Sequence, residues 1–229
     1  MKKIIYIFLV FILLLSCKKN EIKESIAYPN YYPNNIGKSL IYDVVEINID
    51  ADVNVFDTLR YELKEYFDSA YTDQAGNKNI RLKRSIKNKN DSVWHILNIW
   101  YVSITKNAIE KTENNYRYKR LLLPLQLNSK WDGNIYNTIS EQIYEITKIN
   151  EPMQIANTDF NKVCVVLQND YEDLIEKYYS TEIYAENIGL VYRENINIKE
   201  MIPLPGSPYP ERIKIGNIYT QTFKETSKN

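Results

Sequence analysis

The residues best suited to nucleophilic or metal chemistry are few in this chain: it has two cysteines and one histidine. Cys164 lies within the strand-like apolar run VCVVL at 163–167, and His95 lies within another apolar run. A cysteine nucleophile needs a histidine partner, and a zinc site built from these two residues would need carboxylates from scattered strands. We therefore interpret Cys164 as a buried structural thiol, and we predict no catalytic residue, no metal site and no cofactor.

Carboxylates are plentiful, but their spacing matches no familiar site. Asp170, Glu172 and Asp173 cluster in a predicted turn, where a calcium-binding loop is the alternative to a solvated turn. The Asp-x-Asp-x-Asp-Gly spacing of a calcium loop is absent, as are a Gly-rich phosphate loop and a Gly-x-Ser-x-Gly elbow. A pair of glycosidase-type carboxylates cannot be recognised without distances, so a hydrolase stays an open alternative.

The N-terminus carries a short apolar run. Two lysines precede the twelve uncharged residues 4–15 (IIYIFLVFILLL). A helix that spans a bilayer needs roughly 20 apolar residues, whereas roughly 7 to 15 suit the apolar region of a secretory signal. The run has no polar face to meet water, which argues against a buried core helix. We interpret residues 1–16 as a signal peptide.

The end of this run, Leu14-Leu15-Ser16-Cys17, resembles the lipobox of bacterial lipoproteins. The resemblance implies cleavage after Ser16, a diacylglycerol thioether on Cys17 and an N-acyl chain such as palmitate on the new terminus. An incidental cysteine beside an ordinary cleavage site is the alternative. Several acyl chains on one residue would hold a protein firmly to a membrane, since each buried methylene contributes about 0.8 kcal/mol.

Composition indicates a folded domain and excludes some partners. The 229 residues include 44% hydrophobic and 25% charged residues, which favours a globular fold over disorder. The 29 basic residues balance 29 acidic ones, so there is no net positive charge to attract nucleic acid. We expect a signal peptide at 1–16, a polar tether at 17–29 and a single β domain at 30–229.

Hydrophobic residues alternate with polar ones along most of the chain, which predicts half-buried strands. Turn residues separate them, as around Gly76, at 88–91 and at Asn114-Asn115, where asparagine tolerates a left-handed conformation. We predict an all-β fold: an antiparallel meander forming a strongly curved sheet, a half-barrel or a sandwich, after the N-terminal signal helix. Strands are expected at 38–49, 58–67, 80–86, 92–105, 108–113, 116–123, 139–149, 160–168, 174–185, 189–198 and 212–223.

Aromatic side chains offer candidate contact residues. Trp94 and Trp100 are an even number of residues apart in one predicted strand, so we expect both in the core. Trp131 lies beside a glycine-containing turn and is a candidate for a rim position. Tyr209 lies in the proline-rich loop 203–210, a candidate docking element whose alternative is a plain connection between strands. Trp131 and Tyr209 are therefore predicted ligand or partner contacts.

Several segments together resemble small envelope lipoproteins of Bacteroidota whose function is uncharacterised. The set includes WDGN at 131–134 and, as its most telling element, YAENIGLVYRE at 184–194, a predicted strand–turn–strand around Gly189. The resemblance implies the envelope class and says little about activity. More loosely, the meandering strands are similar to the half-barrels of lipoprotein-localisation carriers.

These observations predict a lipid-anchored cell-envelope protein, attached to the membrane through Cys17, that is a non-enzymatic binding or assembly component. Its expected partner is an envelope protein, a glycan or a lipid, and not nucleic acid. One alternative is a carrier that shelters an apolar ligand in a curved sheet, and another is a hydrolase of envelope polymers. Lys18-Lys19 after the cysteine, with no aspartate there, favours the outer membrane by resemblance to known sorting rules.

Overall fold

The structure, a computed structural model, describes residues 30–32, 35–202 and 209–228, and strands make up most of these ranges. A 3-10 turn, Ala51–Val53, joins the first two strands, and a second, Tyr209–Arg212, precedes the last. The strands are β1 (Lys38–Asp50), β2 (Val55–Thr72), β3 (Lys78–Asn88), β4 (His95–Ile104), β5 (Ala108–Glu113), β6 (Tyr116–Leu122), β7 (Lys130–Asp132), β8 (Ile143–Ile155), β9 (Thr158–Glu172), β10 (Lys177–Ala185), β11 (Gly189–Met201) and β12 (Ile213–Lys228).

All these strands form one antiparallel sheet. Its order is β6-β5-β4-β3-β2-β1-β12-β11-β10-β9-β8-β7, so consecutive strands pair throughout except β6 and β7, which are its two edges. The first strand pairs with the last, β1 with β12, in the middle of the sheet. This confirms the predicted all-β, antiparallel, strongly curved sheet. The short strand β7 was not expected, and the ends of the other strands differ by a few residues from those expected.

The sheet curves until its two edges, β6 and β7, almost meet. The Lys119 N–H donates to the Gly133 carbonyl at 2.9 Å, and the Trp131 indole N–H donates to the Lys119 carbonyl at 2.7 Å. The neighbouring Asn137 side chain bonds both backbone groups of Arg117. These contacts replace a regular strand ladder and close the sheet around an interior.

Alternation directs apolar side chains into that interior. On β1, Leu40, Tyr42 and Val44 are buried while Asp43 is exposed, as expected for a period of two. The ring of Tyr42 packs edge-on against Phe223 of β12, and Tyr32 packs against Tyr184 of β10. The buried thiol of Cys164 belongs to the same core, in agreement with its interpretation as structural.

Two turn predictions are confirmed in detail. The hairpin between β5 and β6 turns through Asn114 and Asn115, with φ of 49° and 70°. Gly189, in the most telling segment of the family resemblance, has φ of 111° where β10 reverses into β11. Such angles are uncommon for most side chains and accessible to asparagine and glycine.

The expectation that Trp94 and Trp100 share the core is wrong. Trp100 is buried, whereas Trp94 precedes β4 and lies 4.6 Å from the ammonium of Lys64, which stacks on its ring. The pairing of β3 with β4 passes from Arg84–Asn98 to Ser85–Ile96, which leaves Leu97 as an extra residue. One extra residue reverses the alternation, so an even spacing no longer means a common face.

The signal peptide at 1–16, Cys17, the tether at 17–29 and the loop 203–208 lie outside the described residues. No helix within the described ranges has the length and apolar character needed to cross a bilayer.

Candidate functional site

A cavity of about 470 Å³ occupies the end of the sheet interior where β10 begins and where β9 and β11 end. Its wall runs from the exposed Asn197 to the buried Arg193, so the cavity opens to solvent. Both halves of the meander contribute to it. The lining residues are Glu113, Tyr118, Arg120, Gln142, Tyr144, Gln168, Asn169, Tyr178, Tyr179, Ser180, Arg193, Asn195, Ile196 and Asn197.

Two lining side chains are there because of β-bulges. The pairing of β5 with β6 passes from Ile109–Leu121 to Glu110–Lys119, so Arg120 has no partner across the ladder. The pairing of β10 with β9 passes from Ser180–Asn169 to Thr181–Leu167, so Gln168 is likewise the extra residue. A bulge re-aims a side chain that regular alternation would place elsewhere.

These two side chains carry buried donors without partners. Arg120 is 7% exposed and Gln168 is 4% exposed. Within the described part of the chain, Nε of Arg120 and Nε2 of Gln168 donate to no acceptor, although the Gln168 amide oxygen accepts a hydrogen bond from the Ser180 hydroxyl at 2.8 Å. A buried donor left unpaired costs about 1–3 kcal/mol, so such groups mark places where a ligand or ordered water completes the structure.

An ion network lies directly behind the cavity, with Glu182 at its centre. This side chain is 0% exposed and accepts from Nε of Arg193 at 2.7 Å and from the Tyr184 hydroxyl at 2.5 Å. Nη1 of Arg120 lies 3.6 Å from the same carboxylate. Burial alone would raise the pKa of Glu182, but Arg120 and Arg193 outweigh it and lower the pKa to about 2.

Glu113 ties the two halves of the sheet together through the same arginines. It accepts from Nη2 of Arg193 at 3.0 Å and pairs with Nη2 of Arg120 at 2.9 Å. Burial opposes ionisation of this carboxyl as well, and the two guanidinium groups hold its pKa far below the usual range. In strand order β5 and β11 are separated by β4, β3, β2, β1 and β12, so this ion pair crosses the interior.

A second group of charges adjoins the first. Nζ of Lys111 lies 3.8 Å from Glu113 and 3.3 Å from Glu65, and Nε of Arg84 donates to Glu65 at 3.1 Å. The guanidinium of Arg84 stacks 3.5 Å from the centre of the Trp100 ring. Burial lowers the pKa of Lys111, although the two carboxylates oppose that shift.

With each member in its ordinary ionised form, the buried network has one more cation than anions. Among the described residues its cations are Arg84, Lys111, Arg120 and Arg193, and its anions are Glu65, Glu113 and Glu182. A charge removed from water needs a counter-charge nearby, because the low polarity of an interior strengthens every electrostatic interaction. Arg120, whose Nε is unpaired, belongs both to this network and to the cavity wall.

A second cavity, of about 460 Å³ near the β1–β3 region, differs from the first in how its charged and polar groups are paired. Two of its ammonium groups are matched: Lys224 contacts both Asp43 and Glu62, and Lys87 pairs with Glu62 at 2.5 Å. Its described lining residues include no buried side-chain polar atom that lacks a partner, so the cavity beside Arg120 is the stronger candidate.

Of the residues singled out in the sequence as contacts, Trp131 is not among those that line the candidate cavity. Trp131 is 7% exposed, donates its indole N–H at the seam and packs edge-on against Tyr144, so it is not a rim residue. Its contact with a ligand or partner stays a prediction. Tyr209 begins the 3-10 turn before β12, and its side chain is outside the described set, as is all of Cys17.

Cys164 and His95 do not form a nucleophilic pair. Burial raises the pKa of the Cys164 thiol to about 12, whereas His95 has a mostly exposed side chain 3.7 Å from Asp91. Asp173 accepts the backbone N–H groups of Ile175 and Glu176, as a turn residue does. The described residues contain no group of three or more histidine, cysteine or acidic side chains placed to hold a metal ion.

Sequence reasoning missed the cavity residues and the ion network behind them, although part of the signal for the network was present. Glu65 follows Leu63 and precedes Phe67 at a spacing of two, and Arg84 likewise follows Leu82. Alternation therefore placed two opposite charges on buried faces, which indicates an internal ion pair. Arg120 and Gln168 gave no such signal, because a bulge decides their direction.

Comparison with known proteins gives distant likeness only. No family model matches this chain. A stretch of 104 residues, 44% of the chain, is 34% identical to subunit 1 of the nuclear cap-binding protein complex of Eremothecium gossypii, and the chain spans only 12% of that protein's length.

Two solved structures, each matched over 86% of this chain and 98% of its own, are also similar. One is a Bacteroides fragilis protein described as exported and as having a YmcC-like fold, with a TM-score of 0.48 and 14% identity. The other is a Parabacteroides distasonis protein described as a lipoprotein, with a TM-score of 0.35 and 12% identity. Likeness at these levels says nothing about a ligand or an activity.

Proposed function

We propose that this chain is a lipid-anchored protein of the cell envelope that binds a small polar ligand inside its curved sheet and catalyses no reaction. One observation carries the binding role: the cavity beside Arg120 and Gln168 contains buried donors that no described side chain satisfies. Its volume lies within the range of about 300–1,000 Å³ typical of small-molecule sites. The anchor rests on the basic start, the apolar run and the lipobox resemblance at Cys17.

The cavity favours a polar ligand over an apolar one. Five amide side chains, Gln142, Gln168, Asn169, Asn195 and Asn197, line it together with the two arginines. Burying these groups against a hydrocarbon chain would strip them of water without replacing its hydrogen bonds. The carrier of an apolar ligand is therefore the weaker alternative.

The carboxylates beside the cavity do not suit a hydrolase. A general acid in a glycosidase needs a raised pKa so that it holds a proton to donate. Glu113 and Glu182 have lowered pKa values because each is paired with Arg120 and Arg193. Both are held as ionised structural partners of the arginines rather than as proton donors.

Two measurements test the proposal. Labelled fatty acid is expected to enter the wild-type protein in growing cells and not a Cys17→Ala variant. Equal labelling of the two proteins would refute the proposed lipid anchor at Cys17. The protein purified from its own membranes is expected to release a small polar molecule on denaturation, detected by mass spectrometry. A protein that releases none, and whose unfolding temperature is unchanged by polar extracts of the same cells, would remove the binding role.

A further inference from the structure

We propose that the ligand is a small, hydroxyl-rich molecule with one acidic group, and that Arg120 and Gln168 bind this group. This inference rests on the proposed binding function and specifies the chemistry of its ligand. The acidic group is a carboxylate or a phosphate, which share the acceptor oxygens and the negative charge that the site requires.

The unpaired atoms determine what the ligand must offer. The guanidinium of Arg120 and the amide nitrogen of Gln168 can only donate hydrogen bonds. Both residues line the same cavity and are buried, and Nε of Arg120 and Nε2 of Gln168 lack a partner among the described residues. A ligand that satisfies them must therefore present acceptor atoms.

The charge balance indicates that these acceptors are anionic. The network behind the cavity has four cations and three anions among the described residues, and its terminal guanidinium nitrogens are occupied by Glu113 and Glu182. The remaining donor of Arg120, Nε, is the nitrogen of this guanidinium that has no acceptor among the described residues. One negative charge at this point neutralises the network, and hydrogen bonds between ionised groups are about twice as strong as neutral ones.

The rest of the wall suits hydroxyl groups. The amides of Asn169, Asn195 and Asn197 can both donate and accept, as a hydroxyl does, and Tyr178 and Tyr179 add aromatic surface. A cavity of about 470 Å³ has room for much more than a simple ion. An acidic sugar combines the three required features: an anion, several hydroxyl groups and apolar ring faces.

Calorimetric titration of the mature lipidated protein in detergent tests this ligand class. The probes are glucuronate and glucose 6-phosphate, which carry the acidic group as carboxylate or phosphate, with glucose and inorganic phosphate as the reference compounds. At least one acidic sugar is expected to bind at least about tenfold more tightly than either glucose or inorganic phosphate. Whichever of the two acidic sugars binds more tightly shows whether the acidic group is a carboxylate or a phosphate.

Two variants locate the binding. Gln168→Met keeps the side-chain length and removes the N–H donor, so the affinity for the acidic sugar is expected to fall about tenfold, as for one lost hydrogen bond to a charged group. Gln154→Met makes the same change at an exposed position of β8 outside the cavity and is expected to bind like wild type. Circular dichroism at the titration temperature checks that each variant is folded.

Each contrary result refutes a different part of the inference. Equal affinity for glucose and the acidic sugars would overturn the anionic group, and equal affinity for inorganic phosphate would leave a simple ion site. Absence of saturable binding by any probe would overturn the ligand class, and this comparison needs no variant. Ligand release from the native protein and acylation of Cys17 decide the proposed function separately.

Discussion

Glu182→Gln is expected to destabilise the protein strongly, because it removes one charge from the centre of the buried network. The variant keeps the shape of the side chain and leaves Arg120 and Arg193 with Glu113 as their shared carboxylate. Lowering the pKa of Glu182 from 4.5 to about 2 corresponds to about 3 kcal/mol of stability at neutral pH. Removing one partner of a buried ion pair costs about 3–5 kcal/mol, which agrees with that figure.

The same reasoning fixes the pH dependence. The folded-state pKa of Glu182 is lower than the unfolded-state value, so its contribution is complete above pH 4.5 and is lost as the pH falls towards 2. At about pH 3 the contribution is smaller by about 2 kcal/mol than at neutral pH. The difference in unfolding free energy between wild type and Glu182→Gln is therefore expected to shrink from about 3 to about 1 kcal/mol.

Urea unfolding followed by tryptophan fluorescence at the two pH values measures this difference. Glu172→Gln is the matched control, since Glu172 pairs with Lys177 at 2.7 Å on the same strand pair but is about half exposed. An exposed ion pair contributes about 0–1 kcal/mol, so this control is expected to resemble wild type. A Glu182→Gln variant within about 1 kcal/mol of wild type at both pH values would refute the account of the network.

Further predictions concern the core, the seam and the two proposals. Cys164, whose pKa burial raises to about 12, is expected to resist a thiol reagent in the folded mature protein and to react on unfolding; reaction without unfolding would contradict this. Gly133→Ala is expected to cost about 1–3 kcal/mol in thermal unfolding, since the added carbon would overlap the Tyr144 ring, and an unchanged transition would contradict this. Cys17→Ala should abolish acylation, and Gln168→Met should weaken acidic-sugar binding about tenfold.

The sequence predicted the fold well because an antiparallel meander is encoded locally. Each hairpin needs two runs of alternating polar and apolar residues with a turn between them. Asn114-Asn115 illustrates how the residue type at a turn predicts a left-handed backbone conformation. The closing contacts between Lys119 and Gly133 were not predictable in this way. They depend on the accumulated curvature of the whole sheet, which no short segment determines.

The candidate site was harder to predict because it departs from the rule that revealed the fold. Leu97, Arg120 and Gln168 are each the extra residue of a bulge, where alternation changes phase. The composition of the strand does not show where such a residue will fall. Trp94 was misplaced and Gln168 overlooked for the same physical reason, which is that one inserted residue reverses the direction of side chains on one side of it.

The arrangement couples ligand binding to the closure of the sheet. Arg120, on the edge strand β6, and Arg193, on β11, bind the same two carboxylates, so the guanidinium groups hold strands from both halves around the cavity. Glu113 and Glu182 match these two guanidinium groups in number, and the additional cation of the network comes from Arg84 and Lys111, which share Glu65. An anion bound at Nε of Arg120 would add a counter-charge to the network and stabilise the closed sheet, which gives the site a physical reason to favour an acidic ligand over a neutral one.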